Sequence, residues 1–537
     1  MPQFTHSLKS GLSFYGFESV NLITGAVIYK GIDFCISGIV PLEWKRIWYS
    51  DSSYIGMLGH GVHTLFDSHL ITFEEENCIG LVLEDGRVCG FEFLYNDEEY
   101  YSREERLTLR RSNEEFRLFD HNKKLYYIYK SVFGAKNNYY HLVKIENETG
   151  LSIKLDIINN RLQKITDTAG RTVCADSDMN GRITSLSLVT DKGAEPLVSY
   201  TYDEDGNMTS IIDALGQITH IRYTTHLMTE KTDRNGDTYC WEYDGKGRCV
   251  HTYGIDGMME GRIEYHPEKG YNLVTDSTEG TTTYRYTPEQ LVTAEIDPLG
   301  NETLHSYTDY MEPYRTTDPE GGVTGYSYDG EGNLTGITYP DGSGEMFVYD
   351  NEGRLIIHID REGNKTVRLY DRERPHLVTG FIDATGEVTE LAYDAHGLPV
   401  RVSKGKRRSE LSYDREMNLE AWHEDGRKLG GWKHDARGRM TERTSPGYRT
   451  EFYHYDALDR LRRIDARDGN VIHLDYDSYD SITEARDARR HVRMGYNSVG
   501  SMTWREEAGH RVSFNYDGMD RLTEVVNEAG AGYLFGR

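Results

Sequence analysis

The sequence predicts an all-β fold in which tandem β-hairpins wind into a spiral or a large, hollow, barrel-like shell. Two repeated turn phrases and a composition suited to strands predict it. The first phrase reads Tyr-Asp, two variable residues, Gly, a polar residue and an apolar one, and it recurs from Tyr202 to Tyr516 every 20 to 23 residues. Such a fixed period is the signature of a repeat architecture. The 40 Tyr, 54 Gly and only 12 Pro suit strands joined by glycine turns.

The first phrase places the same residue types at the same positions of each copy. Its Tyr, Asp and Gly are Tyr202, Asp203 and Gly206; Tyr243, Asp244 and Gly247; Tyr328, Asp329 and Gly332; Tyr349, Asp350 and Gly353; Tyr393, Asp394 and Gly397; and, without the Gly, Tyr455 and Asp456, and Tyr516 and Asp517. Asp accepts hydrogen bonds from N–H groups just ahead of it, and Gly takes positive φ without a clash. We interpret these residues as structural, because a catalytic pair would not be copied so many times.

A second phrase, Asp-x-x-Gly, lies between the copies of the first, for example at 213–216, 297–300 and 360–363. Each unit therefore has two turns and two strands, and about sixteen units supply roughly 32 strands. Open twisted sheets of more than ~10 strands curl, split or close. We therefore expect the ribbon of hairpins to wind rather than to lie flat.

The chain divides into three regions by its repeat pattern. Residues 1–120 do not keep the repeat and are predicted to form a β-rich cap, because the terminal units of repeat arrays are atypical. Residues 121–200 form a transition with degenerate copies, and residues 201–537 form the array itself. The array runs to the last residue, so we expect the chain to be cut before a further domain. An open strand edge near Arg537 would favour dimerisation.

Charge and hydropathy exclude several classes of partner. The formal net charge of −27 disfavours nucleic acid, since phosphate binding needs a basic face. The basic cluster 404–408 is interpreted as a solvated loop, with a contact surface for cargo or lipid as the alternative. No stretch approaches 18 apolar residues, so no membrane span is expected. The first residues do not form a secretory signal, and we therefore expect a cytoplasmic protein that a dedicated machine later exports.

The sequence contains no pattern that predicts catalysis, a cofactor or a metal. His60 and His63 are close in sequence, but no catalytic Glu lies between them. The six cysteines lack paired ligand spacing. No loop has the ligand density of a calcium motif, and there is no Gly-x-Ser-x-Gly elbow. We predict that this segment is not an enzyme.

The Tyr-Asp-x-x-Gly-Arg-Leu phrase, interleaved with Asp-x-x-Gly, resembles the Rhs/YD-repeat proteins. This family includes bacterial polymorphic-toxin shells, cocoon subunits of insecticidal toxin complexes, and animal teneurins. Residues 20–25, 41–46 and 58–61 are similar to the segment that opens the bacterial Rhs core. The resemblance implies a hollow shell that encloses a C-terminal toxin domain in cis, which is released by cleavage at the end of the core.

The resemblance also implies a function and a set of partners. The expected function is a non-catalytic encapsulating shell that houses and delivers an effector in interbacterial competition, with type VI secretion as the route. A secretion spike, chaperone proteins and an immunity protein for the toxin are the implied partners. The chain lacks a Pro-Ala-Ala-Arg-type spike tip, the Asp-Pro-x-Gly motif that ends the core, and a toxin domain, so toxic activity and self-cleavage would lie beyond Arg537. The alternative is a cell-surface adhesion or carbohydrate-binding protein, in which Trp422 and Trp432 stack on sugars.

Overall fold

The computed structural model describes residues 12–136, 138–447 and 449–534. Strands make up 57% and helices 2% of the structure, which confirms the predicted all-β fold class. Three short 3-10 helices interrupt the strands, at Leu65–Asp67, Ile255–Gly257 and Pro267–Lys269. Among the described residues, no helix has the length and apolar character needed to cross a membrane.

Seven short strands precede the main sheet and form three small sheets of their own. They are β1 Tyr15–Gly16, β2 Val20–Asn21, β3 Ile28–Ile36, β4 Leu42–Tyr49, β5 Ile55–Gly56, β6 Gly59–His60 and β7 Val62–His63. We call residues 12–68 the cap. Its strands β3 and β4 bury Trp44 and Trp48, and both rings are no more than 2% exposed.

The remaining strands form one antiparallel sheet of 45 strands, in which strands that are consecutive in sequence are neighbours. We divide it into two windings. The first winding comprises β8 His69–Phe73, β9 Cys78–Val82, β10 Val88–Glu92, β11 Glu99–Ser102, β12 Leu107–Ser112, β13 Glu115–Asp120, β14 Leu125–Lys130, β15 Tyr139–Asn147, β16 Ser152–Ile158, β17 Arg161–Thr166, β18 Thr172–Ser177, β19 Ile183–Thr190, β20 Gly193–Tyr202, β21 Met208–Asp213, β22 Ile218–Thr224, β23 Leu227–Thr232, β24 Thr238–Tyr243, β25 Cys249–Gly254, β26 Gly261–His266, β27 Tyr271–Asp276, β28 Thr281–Tyr286 and β29 Val292–Ile296.

The second winding continues the same hairpin pattern. It comprises β30 Glu302–Tyr307, β31 Pro313–Thr317, β32 Val323–Tyr328, β33 Leu334–Thr338, β34 Gly344–Tyr349, β35 Leu355–Ile359, β36 Lys365–Tyr370, β37 Val378–Ile382, β38 Val388–Tyr393, β39 Pro399–Lys404, β40 Arg407–Tyr413, β41 Leu419–Glu424, β42 Arg427–His434, β43 Met440–Ser445, β44 Arg449–Tyr455, β45 Leu461–Asp465, β46 Val471–Tyr476, β47 Ile482–Arg486, β48 His491–Tyr496, β49 Met502–Glu507, β50 His510–Tyr516, β51 Leu522–Asn527 and β52 Gly532–Leu534. The strand edge expected near Arg537 lies outside the described residues, so the expected dimerisation stays a prediction.

The sheet closes on itself near its beginning. Tyr139, Tyr140 and His141 of β15 pair with β8, while residues 144–146 of the same strand pair with β16. Both edges of β8 are thereby occupied, one by β9 and the other by β15. The first eight strands therefore make a closed start, from which the rest of the ribbon winds away.

The ribbon then passes over itself. Side-chain contacts join residues that are 209 to 261 positions apart, such as Arg103 with Glu312 and Gln217 with Ser478. Because such contacts recur along the chain at nearly the same separation, one revolution takes roughly that many residues. The sequence-based expectation of a wound ribbon is thus realised as a spiral of two windings.

Each Tyr of the Tyr-Asp phrase lies at a register shift between strands. Tyr349 pairs with Leu355, whereas the preceding Val348 pairs with Ile357, so Ile356 is one extra residue on the partner strand. The same shift occurs at Tyr202, Tyr243, Tyr328, Tyr393, Tyr455 and Tyr516. A β-bulge bends a strand and increases its twist. The repeated bulge thus supplies curvature to the ribbon once per unit.

The hydrophobic core is concentrated in the cap and the first winding. The main cluster of buried side chains runs from Val20 to Val292. In the described part of the second winding, the only buried apolar side chains are Leu377, Leu398 and Ala421. The second winding is therefore a thin wall whose side chains are mostly half-buried, while the first is supported by the cap.

Candidate functional site: the wall unit and the contacts between windings

The turn of each Tyr-Asp phrase is built by its Asp. Asp350 Oδ1 accepts the backbone N–H of Glu352 at 3.0 Å and that of Arg354 at 2.9 Å. Gly353 has φ +69°, and its N–H donates to the carbonyl of Asp350 at 3.0 Å. The carboxylate and the glycine thus hold one tight turn, as Asx-type turns require.

The other copies place the named residues in the same way. The Asp Oδ1 accepts an N–H four residues ahead in Asp203 (2.8 Å), Asp244 (3.0 Å), Asp329 (2.8 Å), Asp394 (2.9 Å), Asp456 (3.1 Å) and Asp517 (3.1 Å). The glycines have positive φ: Gly206 +87°, Gly247 +80°, Gly332 +82° and Gly397 +79°. In the last two copies Asp459 and Asp520 take the glycine position, at φ +63° and +58°.

The Tyr hydroxyl ties its strand to the preceding unit. It donates to a backbone carbonyl in Tyr202 (to Ile183), Tyr243 (to Met228), Tyr328 (to Pro313), Tyr393 (to Val378), Tyr455 (to Met440) and Tyr516 (to Met502), over 2.6–2.8 Å. Burial raises the pKa of Tyr328 to about 12, so the hydroxyl keeps its proton. The Tyr349 hydroxyl makes no such bond to any described residue.

An arginine completes the unit, and sequence reasoning assigned it no role. Arg354 Nε donates to Asp350 Oδ2 at 2.6 Å, and its guanidinium lies 4.8 Å from the ring centroid of Tyr370 in the next unit. Arg439 over Tyr455 and Arg460 over Tyr476 repeat the arrangement at 5.1 and 5.0 Å. Arg suits this position because a planar guanidinium hydrogen-bonds and stacks at the same time. The recurrence of an Arg directly after the turn glycine is the feature of the sequence that could have indicated this role.

The two windings meet through their turns. Arg103, in the turn before β12, donates to Glu312 Oε2 at 3.0 Å and to the carbonyl of Gly330 at 2.7 Å. Tyr101 donates to the carbonyl of Glu331 at 2.6 Å. These second-winding residues lie in or near the turn that Asp329 builds, so the Tyr-Asp edge of the second winding faces the first winding.

The same pairing of edges continues around the spiral. Arg234, in an Asp-x-x-Gly turn, donates to Asp480 Oδ2 at 3.0 Å in a Tyr-Asp turn. Further along, Met259 N–H donates to the carbonyl of Gly518 at 2.7 Å. A side-chain carbon at Gly397 would come within 2.6 Å of Thr149 Cγ2, so this glycine permits the close approach of the windings.

The cap packs against the first winding and reaches both of its edges. On the edge that faces the second winding, Arg171 donates to the carbonyl of Ser37, and the next contact lies on the opposite edge. The N–H of His60 donates to the carbonyl of Gly206 at 3.0 Å. Behind this contact, Tyr200 donates to Asp33 Oδ2 at 2.5 Å and accepts the indole N–H of Trp44 at 2.9 Å. Asp33 is also paired with the buried Arg46 at 3.1 Å. A buried polar network therefore fastens the cap to the wall.

The two histidines weighed for chemistry belong to this cap. The His60 ring stacks on His226 of the wall with centroids 3.6 Å apart. His63 Nε2 lies 2.9 Å from Ser52 Oγ, and burial lowers the pKa of His63 to about 4. Within the described residues, no group of three or more His, Cys, Asp or Glu side chains is placed to hold a metal ion.

Comparison with known proteins agrees with this architecture. The family model described as RHS Repeat matches residues 315–343. The chain is 24% identical over 295 residues to the probable deoxyribonuclease RhsB of Dickeya dadantii strain 3937, a match that covers 52% of this chain and 20% of that protein.

The chain is an Rhs/YD-repeat protein.

Two further comparisons bear on other parts of this Rhs/YD-repeat protein. A model described as Domain of unknown function (DUF6531) matches residues 17–91, which include most of the cap. The double-stranded DNA deaminase toxin A of Burkholderia cenocepacia strain H111 is 25% identical over 231 residues, which cover 42% of this chain and 16% of that protein. This Rhs/YD-repeat protein thus spans about a fifth of the length of the curated relatives it matches.

Among solved structures, the fold is similar to that of the crystal structure of TcdB2-TccC3-TEV. The TM-score is 0.53 at 11% identity, over 77% of this chain and 31% of that one. At this identity the likeness concerns the fold alone, and it is consistent with the wound sheet of the Rhs/YD-repeat protein.

Proposed function

We propose that this chain is the non-catalytic wall of an Rhs-type toxin shell, which encloses and delivers a C-terminal effector in interbacterial competition. The observation that carries the proposal is the spiral itself: two windings stacked edge to edge, with a cap packed against the first. A stacked, capped wall is the geometry that separates an interior from its surroundings.

The thin second winding supports enclosure of a polypeptide rather than a packed core. Its side chains are mostly half-buried, so both faces of the wall remain accessible to other groups. The chain carries a net charge of −27, which would attract a basic cargo at low ionic strength. An effector in cis, a secretion spike, chaperones and an immunity protein are the partners that this function requires.

The names of the relatives support a non-enzymatic wall. One relative is named a probable deoxyribonuclease and another a DNA deaminase, and these are different reactions. Each relative shares up to about half of this chain, which constitutes only 16–20% of the relative's length. A shared segment that accompanies two chemistries is better explained as common architecture than as the source of either.

The adhesion alternative rested on Trp422 and Trp432. The Trp432 ring fills the space that a side chain at Gly430 would occupy, so one face of the indole is covered by the wall. Trp422 is paired with Gly430 in the neighbouring strand. The covered face of Trp432 disfavours a sugar platform at that position.

A protease-protection experiment tests enclosure. A small, protease-sensitive reporter domain is fused after Arg537 in one protein and before Met1 in another. We expect the C-terminal reporter to be digested at least tenfold more slowly than the free reporter, and the N-terminal reporter to be digested at the free rate. Equal digestion of the two fusions would contradict enclosure, and glycan binding by the chain, abolished by Trp422→Ala, would favour adhesion instead.

A further inference from the structure

A cavity of about 770 Å³ lies between the two windings. Its first-winding side includes Phe119, Lys124 and Tyr126, and its second-winding side includes Tyr349 and Tyr370. This volume falls in the range of small-molecule sites, which are concave and lined by aromatic groups with a few polar ones. The second-winding side of the cavity is formed by the turn unit of Asp350 and Arg354, whereas its first-winding side takes no part in the turn and cap contacts described above.

The cavity is basic, although the chain as a whole is strongly acidic. Four Lys or Arg side chains line it, against two glutamates. One of those glutamates, Glu352, is already paired with Arg354 at 2.6 Å. Arg106 bonds only amide oxygens, those of Asn122 and Asn333. The positive charge of the cavity therefore exceeds the negative charge available to neutralise it.

Two further cations form no ion pair among the described residues, although Glu148 lies near enough to Lys124 to attract it. Lys124 makes a ring contact with Phe119 at 5.8 Å but no ion pair, and Arg368 on β36 makes no ion pair. Burial, together with Lys124 and Arg106, lowers the pKa of His121 to about 4. Burial is the largest cause of this shift, and the two cations add to it, which agrees with the excess of positive charge in the cavity.

Polar atoms in the cavity wall also lack partners. The Nε2 atom of His376 is buried and has no hydrogen bond in the described structure. Tyr349, whose counterparts in other units donate to a carbonyl, leaves its hydroxyl free here. The buried His376 Nε2 without a partner costs free energy, and a bound ligand that bonds it would remove that cost.

We propose that this cavity is a binding site for an anionic aromatic compound of nucleotide size, such as a nucleoside monophosphate. The anionic group would lie against Lys124, Arg368 and Arg106, and the ring would stack on the Phe119 or Tyr370 side of the cavity. Because the two walls belong to different windings, a bound ligand would join the windings. The site is independent of any enclosed effector.

Calorimetric titration of the full chain with adenosine monophosphate tests the proposal. We expect saturable binding of one equivalent and a rise in thermal stability, since a ligand that binds only the folded state stabilises it. Inorganic phosphate and adenosine are titrated separately, and each should bind more weakly than the nucleotide. Equal affinity for inorganic phosphate and the nucleotide would overturn the role of the aromatic wall.

Two variants locate the site. Lys124→Gln and Arg368→Gln should each weaken nucleotide binding by roughly tenfold or more, since hydrogen bonds to charged groups are the strong ones. Arg315→Gln is the matched control, because Arg315 is also exposed on a second-winding strand but lies outside the cavity. No detectable binding, or equal weakening by all three substitutions, would overturn the assignment.

Discussion

At the scale of single residues, one arginine ties two repeat units together. Arg460 Nε donates to Asp456 Oδ2 at 2.8 Å, its Nη1 donates to Asp480 Oδ1 at 2.9 Å, and its guanidinium covers Tyr476. Its side chain is only 10% exposed. Such a shielded, forked arrangement is stronger than an ordinary surface ion pair.

We expect Arg460→Gln to lower the free energy of unfolding by roughly 1–3 kcal/mol, because two charge-assisted hydrogen bonds are lost and Asp456 loses its cation, while Asp480 keeps its ion pair with Arg234. Arg460→Lys should recover only part of this loss, since an ammonium cannot reproduce the planar fork. Arg401→Gln, at an exposed strand position, is the control and should be nearly neutral. Urea unfolding followed by tyrosine fluorescence measures all three, and equal stability of the Arg460 and Arg401 variants would contradict the role assigned to Arg460.

The turn glycines offer a second test at this scale. Gly353→Val should destabilise its unit by roughly 1–3 kcal/mol, because a β-branched residue is strained at φ +69°. Gly325→Val is the matched control: a side chain there meets open space, and Gly325 lies in strand β32, where valine is favourable. Gly353→Val should therefore lower the melting temperature relative to the unsubstituted chain, and Gly325→Val should lower it less or raise it. Equal losses would mean that the positive φ does not limit the choice of residue.

The turn could be predicted from sequence, because Asp and Gly act within five consecutive residues. The role of Arg354 could not, although the residue is visible in the phrase. Its stacking partner, Tyr370, lies in the next unit, and the contact depends on how two strands are registered. The turn can be predicted from one copy of the repeat because its residues are adjacent in sequence. Contacts between copies cannot, because they depend on how the strands pair.

At the scale of elements, the cap helix Leu65–Asp67 and strand β8 hold a cluster of buried ionisable groups. Burial raises the pKa of Asp67 to about 6, and it lowers the pKa values of His63 and His69 to about 4. Between pH 6.5 and 4 the folded chain thus binds fewer protons at the histidines than the unfolded chain does. The folded Asp67 binds more than the unfolded Asp67 between pH 6 and its ordinary value of 3.8.

The two effects have opposite signs, and the two histidines outnumber the aspartate. We expect acidification from pH 7 to 4.5 to lower the stability of the cap, by on the order of 2 kcal/mol per histidine, less a similar contribution from Asp67. The double variant His63→Gln/His69→Gln should reverse this pH dependence, because Asp67 remains and its raised pKa stabilises the folded cap on acidification. His510→Gln, at a side chain 87% exposed, should leave it unchanged. Hydrogen exchange of the cap at both pH values is the measurement, and an unaltered pH dependence in the double variant would refute this account.

The strand pattern was more predictable than the position of the bulges. About 32 strands were expected after residue 202, and strands β21 to β52 fill that part of the chain. The bulge at each Tyr was not anticipated, because an extra residue such as Ile356 leaves no mark in composition or alternation. It becomes visible only when the pairing partners on both strands are known.

At the scale of the whole molecule, the contact between windings is the least local feature of the fold. The pair Arg103 and Glu312 is 19% and 16% exposed, and it joins parts of the ribbon that are 209 residues apart. The sequence predicted that the ribbon must wind, but not how many residues complete a revolution. That number depends on strand twist and bulge geometry summed over many units.

A double-mutant cycle tests this contact. Arg103→Ala and Glu312→Ala should each destabilise the protein, and their coupling energy should be about 1 kcal/mol, as expected for a partly shielded bidentate pair. The distant pair Arg103 and Glu484 serves as the uncoupled reference and should show additive effects. Additivity in the Arg103 and Glu312 cycle would indicate that the windings do not depend on this contact.

The separation between the two windings has a consequence for how the protein is made. Ribosomes extend a chain at about 5–20 residues per second, so roughly 10–50 s pass between the appearance of a first-winding turn and that of the turn it will bind. During that interval the first winding, already closed through β8 and β15, presents a finished edge without its partner. The second winding then assembles on the edge of the first winding as it leaves the ribosome. The two windings therefore assemble in the order in which they are synthesised.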